Sequence, residues 1–202
     1  MRPGLILDRD GVINLDTGYL HRIEECRFVD GIFELTAAFQ QRGFRLAIAT
    51  NQSGIGRGLY GPAEFRTLMA WMLAQFRARG VEIDAVYHAP DHPTEGQGAY
   101  RRDTDWRKPG PGMLRQVVAD LDLDAALSWA IGDKVGDVAA AVAAGIGHRV
   151  LLEPEALATT RRADGYWLVP SLASIPPLLD QAAKINPRPL GGRATVKEWV
   201  AR

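Results

Sequence analysis

Cysteine is almost absent from this chain: Cys26 is the only one among 202 residues. One thiol excludes an intrachain disulfide and any cysteine-rich zinc site. Neither charge is in excess, since Lys plus Arg and Asp plus Glu both number 24. A balanced chain offers no polyanion-binding face and no basic or acidic tail. No apolar run approaches the roughly 20 residues that a membrane-spanning helix needs, and there is no internal repeat or low-complexity tract. An apolar strand begins by residue 5, leaving no room before it for a secretion signal. These absences lead us to expect a soluble, cytoplasmic, monomeric protein with no nucleic-acid or membrane partner. What the chain has is apolar material: at 47% hydrophobic it can bury a full core in one domain.

The first apolar run, Leu5-Ile6-Leu7, leads straight into Asp8-Arg9-Asp10-Gly11. Such a run reads as a buried strand whose carboxyl end opens at a surface. Side chains alternate along a strand, so Asp8 and Asp10 are expected to be presented together while Arg9 points elsewhere. Two carboxylates at one strand end need a cation or a shared proton. Taken alone, the stretch is equally an acidic turn after a strand.

The rest of the chain repeats the pattern. Residues 11–30 are turn-rich and could form a flap beside the strand end. Asp30 reads as the N-cap of an amphipathic helix closed by Gly43. A second strand, Arg45–Thr50, ends in Asn51-Gln52-Ser53-Gly54, and Pro62 suits the first turn of a helix running to about Arg79. A third strand, Ala85–His88, enters a loop from Ala89 to Lys108, a length that is usually functional or mobile. Then come a helix over Pro111–Asp120, a strand over Leu127–Ile131 ending in Gly132-Asp133, a helix over Val135–Ala144 and a strand over Arg149–Leu152. Residues 153–183 are expected to hold a short helix, a strand near Tyr166–Val169 and a last helix from Leu172. The division expected is one domain over 1–183 and a poorly ordered tail over 184–202.

Strands alternating with helices predict an α/β fold: a Rossmann-like parallel sheet with helices on both faces and no large cap. Sites in such sheets lie beyond the carboxyl ends of the strands. That edge collects Asp8, Asp10, Thr50, Asn51 and Asp133, with Lys108 able to reach it from the long loop. Each alone has a plain reading: Thr50 as a strand-end hydroxyl, Lys108 as a solvated loop lysine, Asp133 as a helix cap. Together they suit phosphoryl transfer. Asp8 and Asp133 supply hard oxygens suited to Mg²⁺, and the Asp10 carbonyl could add a third ligand. A carboxylate such as Asp8 can attack phosphorus to form an aspartyl phosphate. The Thr50 hydroxyl, the Asn51 amide and the Lys108 ammonium are donors for the equatorial oxygens. Asp10 could protonate the leaving group and then activate water.

Asp8-x-Asp10-Gly11, Thr50-Asn51, Lys108-Pro109 and Gly132-Asp133-x-x-x-Asp137 resemble the four motifs of the haloacid dehalogenase-like phosphatases. Longer runs are similar to the subgroup that holds the heptose bisphosphate phosphatases and the histidinol-phosphatase domain: residues 7–14, Gly18-Tyr19, residues 50–58, Arg107-Lys108-Pro109-x-Pro111-Gly112-Met113-Leu114 and residues 131–134. The resemblance covers residues 4 to about 180. It implies a Mg²⁺-dependent hydrolase with Asp8 as nucleophile and Asp10 as acid/base. Asp8, the Asp10 carbonyl and Asp133 would hold the metal, and Thr50 and Lys108 would hold the phosphoryl group. Asp16, Thr17, Gly18, Tyr19, Asn51, Gln52, Ser53, Arg107 and Lys134 fall at its substrate-contact positions. A planar guanidinium such as Arg107 independently suits a second phosphate or a sugar hydroxyl pair. The substrate implied is a small phosphorylated sugar, D-glycero-D-manno-heptose 1,7-bisphosphate losing its 7-phosphate for cell-envelope polysaccharide. Histidinol phosphate is the neighbouring alternative; a non-catalytic sugar-phosphate binder and a phosphotransferase are the more distant ones.

One feature of the subgroup is missing. Its structural zinc in the long loop uses a Cys-x-His pair and a later Cys-x-Cys, and these four positions read Ala89, Asp91, Thr104 and Trp106 here. A structural zinc is therefore expected to be absent, with packing of Trp106 and Tyr100 holding the loop.

Overall fold

The computed structural model describes residues 1–154 and 158–185. Seven strands form one sheet: β1 (Gly4–Leu7), β2 (Arg45–Asn51), β3 (Ala85–Ala89), β4 (Trp129–Gly132), β5 (His148–Leu152), β6 (Arg161–Ala163) and β7 (Tyr166–Val169). Their order is β3-β2-β1-β4-β5-β7-β6, and every pairing is parallel except β6 with β7. The chain builds outward from β1 through β2 to β3, then returns to the other side of β1 as β4. Between β1 and β4 the winding reverses, and a crevice opens there at the carboxyl ends of the strands.

Alternation along each strand sorts the core into two layers. Leu5, Leu7, Leu46, Ile48, Trp129 and Ile131 face one side, where α1 (Ile32–Gln41) and α3 (Pro62–Arg77) cover them. Ile6, Ala47, Ala49 and Ala130 face the other, beneath α4 (Gly112–Asp120) and α5 (Val135–Ala143). Burial on both faces is why these strands read as unbroken apolar runs. Two further helices are α2 (Ser53–Gly56) and α6 (Pro176–Ile185). Among the described residues no helix is long and apolar enough to cross a membrane.

Several boundaries differ from expectation. Asp30 does not cap α1; Gly31 does, at φ 84°, with no side-chain cap bond. The turn into the helix requires a left-handed residue, which glycine adopts without steric cost. Leu127 lies in a 3-10 turn, Ala125–Leu127, capped by the Asp124 side chain, and the strand begins only at Trp129. The last helix starts at Pro176, after a 3-10 turn over Leu172–Ser174. Pro176 and Pro177 have no N–H, so they fit a first turn and not a ladder begun at Leu172. β6 was not anticipated. Its hairpin to β7 turns on Asp164-Gly165, both at positive φ (43° and 84°), the Asp-Gly signal of a tight two-residue turn. Of the stretch before β7 where a short helix was expected, residues 155–157 lie outside the described residues, and the described ones hold no helix. Of the expected tail, residues 186–202 lie outside the described residues.

The largest fully buried side chain is Trp129, packed edge-on against Phe39 (5.6 Å between centroids) and stacked on His148 (4.6 Å). Trp129→Ala should cost about 3–5 kcal/mol through the cavity it leaves. Chemical denaturation of the purified variant reads this directly, and a loss below about 1 kcal/mol would mean that the site collapses around the gap.

Candidate active site

β1, β2 and β4 end side by side, and each end carries part of the site. β1 stops at Leu7, and the Asp8 N–H still donates to the Ile131 carbonyl on β4 at 2.9 Å. Asp8 Oδ1 accepts from the Arg9 N–H (2.8 Å) and from Lys108 Nζ (2.9 Å), while among the described residues nothing donates to its Oδ2. Lys108, 6% exposed, reaches the strand end from the long loop. Its ammonium also meets Asp137 Oδ1 at 2.6 Å. Asn51 seats that loop reciprocally, donating to the Lys108 carbonyl (2.9 Å) and accepting from the Lys108 N–H (3.0 Å). Its side chain thus holds the loop in place.

Asp10 lies beyond the strand, where the chain curls at Gly11. Arg9 is fully buried and turns back on its neighbour. Its guanidinium donates to Asp10 Oδ1 from Nε (3.1 Å) and Nη2 (2.9 Å), to Asp10 Oδ2 from Nη2, and to the Leu20 carbonyl. Asn14 and Gln52 complete the set, each donating to Asp10 at 2.9 Å. Gln52, expected at the substrate, is 2% exposed and is committed to this network.

The residues bring together three carboxylates. Oxygens of Asp8, Asp133 and Asp137 all lie within 4.8 Å of one another. Both Asp137 oxygens are engaged, Oδ1 by Lys108 and Oδ2 by the Lys134 N–H at the start of α5 (3.0 Å). Asp133 Oδ1 is buried with no hydrogen-bond partner among the described residues. Burial, opposed by Lys134 and reinforced by the charges of Asp8 and Asp137, pushes the Asp133 carboxyl up to about 6. Burial alone would lower the Lys108 ammonium, but Asp8 and Asp137 outweigh it and hold it above its ordinary value. An orphaned carboxylate oxygen beside two other acids, with Lys108 between Asp8 and Asp137 and Lys134 Nζ 3.6 Å from Asp133 Oδ2, is a donor set that fits a hard divalent cation. Gly11 makes room for it: at φ +86°, a Cβ there would sit 2.2 Å from Asp133 Oδ2.

Above these groups opens a cavity of about 540 Å³, lined by Asp8, Asp10, Thr50, Lys108, Arg107 and Lys134 among others. Asp16, Gly18, Tyr19, Asn51, Gln52 and Ser53 also line it, and Thr17 does not. Lys134 Nζ bonds Asp16 Oδ2 at 3.1 Å, tying the start of α5 to the expected flap. Arg57, whose guanidinium lies over the Tyr19 ring at 5.5 Å, is paired with Glu95. Arg107 donates to the Asp91 carbonyl at 3.3 Å. Sequence reasoning assigned no role to Asp137, although it stands in the Gly132-Asp133-x-x-x-Asp137 run, and none to Arg9, Asn14 or Tyr60. Only the Asp137 spacing carried a signal.

Known proteins are similar to this chain. The family model described as HAD-hyrolase-like matches residues 105–164. The D-glycero-beta-D-manno-heptose-1,7-bisphosphate 7-phosphatase of Vibrio cholerae is 44% identical over 166 residues, 78% of this chain and 89% of that protein. The enzyme of the same name from Escherichia coli K12 is 40% identical over 185 residues, 90% of this chain and 96% of its own length. The chain belongs to the haloacid dehalogenase-like phosphatases. The crystal structure of the D,D-heptose 1.7-bisphosphate phosphatase of B. bronchiseptica, complexed with magnesium and phosphate, superposes on this phosphatase with a TM-score of 0.74. The two share 31% identity, over 88% of this chain and 98% of that one.

The Asp133 environment has a consequence for metal binding. A carboxyl raised from 3.8 to about 6 contributes stability that is full below its unfolded value and lost as pH rises through about 6. Above that pH the ionised Asp133 weighs against the metal-free phosphatase, and a divalent cation removes the penalty. Mg²⁺ should therefore raise the melting temperature more at about pH 7.5 than at about pH 5. Equal increments in differential scanning calorimetry would contradict this account.

Proposed function

We propose that this phosphatase removes the 7-phosphate of D-glycero-D-manno-heptose 1,7-bisphosphate, using Mg²⁺ and an aspartyl-phosphate intermediate on Asp8. The observation that carries the reading is the lining of the cavity. Asp8, Asp10, Thr50 and Lys108 line it together with Arg107 and Lys134, two cations suited to a second phosphate. Asp8 Oδ2, which carries no hydrogen bond among the described residues, is the oxygen for attack on phosphorus, while Oδ1 is held by Lys108 and the Arg9 N–H. Thr50 and Lys108 donate to the equatorial oxygens of the transferring group. Asp10 gives a proton to the leaving sugar alkoxide and takes one from the water that then cleaves the aspartyl phosphate. Asp8, Asp133 and the Asp10 carbonyl would hold Mg²⁺, which supplies neutralisation of phosphate charge when bound.

Histidinol phosphate would bring a cation toward Arg107 and Lys134, which disfavours it. A non-catalytic binder would have no use for Asp8, Asp10, Lys108 and Asp133 together. The reading includes one domain over 1–183, a monomer in the cytoplasm, and a long loop with no structural zinc. In that loop Asp91 pairs with Arg102 at 3.0 Å and the Trp106 indole donates to the His88 carbonyl at 2.9 Å. These contacts occupy two of the four positions in question. Stoichiometric zinc found by elemental analysis, with loss of stability on its removal, would refute that part.

Phosphate release with Mg²⁺ should give a higher kcat/KM for the heptose bisphosphate than for histidinol phosphate, and the reverse order would overturn the substrate. Asp8→Asn should lose at least about 10³-fold in kcat because the nucleophile is gone. Near-wild-type turnover in that variant would dismiss the covalent route.

A further inference from the structure

Gln52 and Tyr60 form a chain of hydrogen bonds in the cavity wall. Tyr60 Oη donates to Gln52 Oε1 at 2.5 Å, and Gln52 Nε2 lies 2.9 Å from both Asp10 Oδ2 and Thr50 Oγ1. An amide nitrogen has two hydrogens, and here each has one acceptor. Gln52 and Tyr60 are 2% and 7% exposed, so water does not compete freely for these bonds.

We propose that Gln52, with its amide orientation set by Tyr60, is a positioning residue that fixes both the Asp10 carboxylate and the Thr50 hydroxyl for catalysis. The proposal rests on the role given to Asp10 above. A primary amide can turn over and exchange its oxygen with its nitrogen. Turned over, Gln52 would set Oε1 against Asp10 Oδ2 and Thr50 Oγ1, placing two acceptors 2.9 Å apart at the carboxylate. Tyr60 decides the matter by offering a proton to Oε1. Burial pushes its hydroxyl up to about 12, so it stays a neutral donor through the working range.

Two effects follow at the reacting groups. Every bonded partner of Asp10 is a donor: Arg9 and Asn14 at Oδ1, Arg9 and Gln52 at Oδ2. Gln52 is the one of these that also contacts Thr50, so the proton-transfer group and the phosphoryl-holding group share a single support. Thr50 Oγ1 already accepts from Gln52, so its own hydrogen is left to donate to an oxygen in the cavity. Tyr60 is seated for this by its surroundings. Its ring stacks on His21 (5.1 Å between centroids, 6° between planes), and Gly54 lies so close that a Cβ would meet the ring at 2.2 Å.

The experiment compares kcat/KM for the heptose bisphosphate with kcat/KM for p-nitrophenyl phosphate in full-length Tyr60→Phe, Gln52→Leu, the double variant and Asp10→Asn. p-Nitrophenolate departs without a proton, so the ratio of the two constants reports how well Asp10 delivers one, and losses common to both substrates cancel. Asp10→Asn should depress the ratio by about 10²-fold or more, the scale of general-acid catalysis. Tyr60→Phe should depress it about tenfold, and Gln52→Leu at least as much. Adding Tyr60→Phe to Gln52→Leu should change nothing further, because the hydroxyl acts through the amide. Melting temperatures are read alongside. A normal ratio in Tyr60→Phe and Gln52→Leu beside a depressed one in Asp10→Asn overturns this proposal alone. Independent losses in the double variant overturn it too, as does an equal fall on both substrates that tracks a lowered melting temperature. A normal ratio in Asp10→Asn instead removes the proton-transfer role of Asp10, and no turnover of the heptose bisphosphate by the wild type removes the substrate.

Discussion

The site depends on one buried ammonium held between two carboxylates. Lys108 Nζ bonds Asp8 and Asp137, and all three residues are nearly inaccessible to water. An unpaired charge in such a place costs several kcal/mol, so each member is tolerated only because the others are present. The contact therefore acts as a three-way lock: Asp8 brings the end of β1, Lys108 the long loop, and Asp137 the first turn of α5. Asn51 extends the lock to β2 through its paired bonds with the Lys108 backbone. Asp137 uses its second oxygen to hold the Lys134 N–H, which anchors the helix start on which Lys134 stands.

The lock leaves a charge imbalance that the protein alone does not resolve. Three acids crowd together, and burial with the charges of Asp8 and Asp137 raises the Asp133 carboxyl against the pull of Lys134. Gly11 and Gly132 keep the cluster close, since a Cβ at either would lie 2.2 Å from Asp133 or Asp137. Asp10, only two residues from Asp8, experiences a different environment. Arg9 turns under the strand end and grips it with two nitrogens, so adjacent acids are held by separate cations. The proposed division of roles between Asp8 and Asp10 rests on this separation.

Much of the sheet was legible in the sequence because its central strands are buried on both faces. That condition writes itself as an apolar run ending in polar residues and glycine, as at Leu7-Asp8 and Thr50-Asn51. Elements at the margin were less legible. The strand Arg161–Ala163 is short and polar, with only its Asp-Gly turn to announce it. Gly31 displaced Asp30 as the cap because backbone conformation, and not side-chain chemistry, governs that junction. The long loop gave no periodicity, and its order comes from contacts such as the Trp106 indole on the His88 carbonyl.

The sequence by itself determined which chemical groups stand at the strand ends. Spacing along the chain set Asp8, Thr50 and Asp133 at one edge of a parallel sheet, because strand direction and crossover geometry leave few alternatives. The tertiary structure decided what each group touches. Arg9 was expected to point away from the acids, and it returns to hold Asp10. Gln52 was expected at the ligand; it lines the cavity, and its amide is bonded to Asp10, Thr50 and Tyr60. The reason is physical: past the end of a strand, side-chain direction follows local backbone turns and the partners that packing supplies. Those partners, 42 residues away for Asp10 and Gln52 and 57 for Asn51 and Lys108, become neighbours only once the sheet has formed.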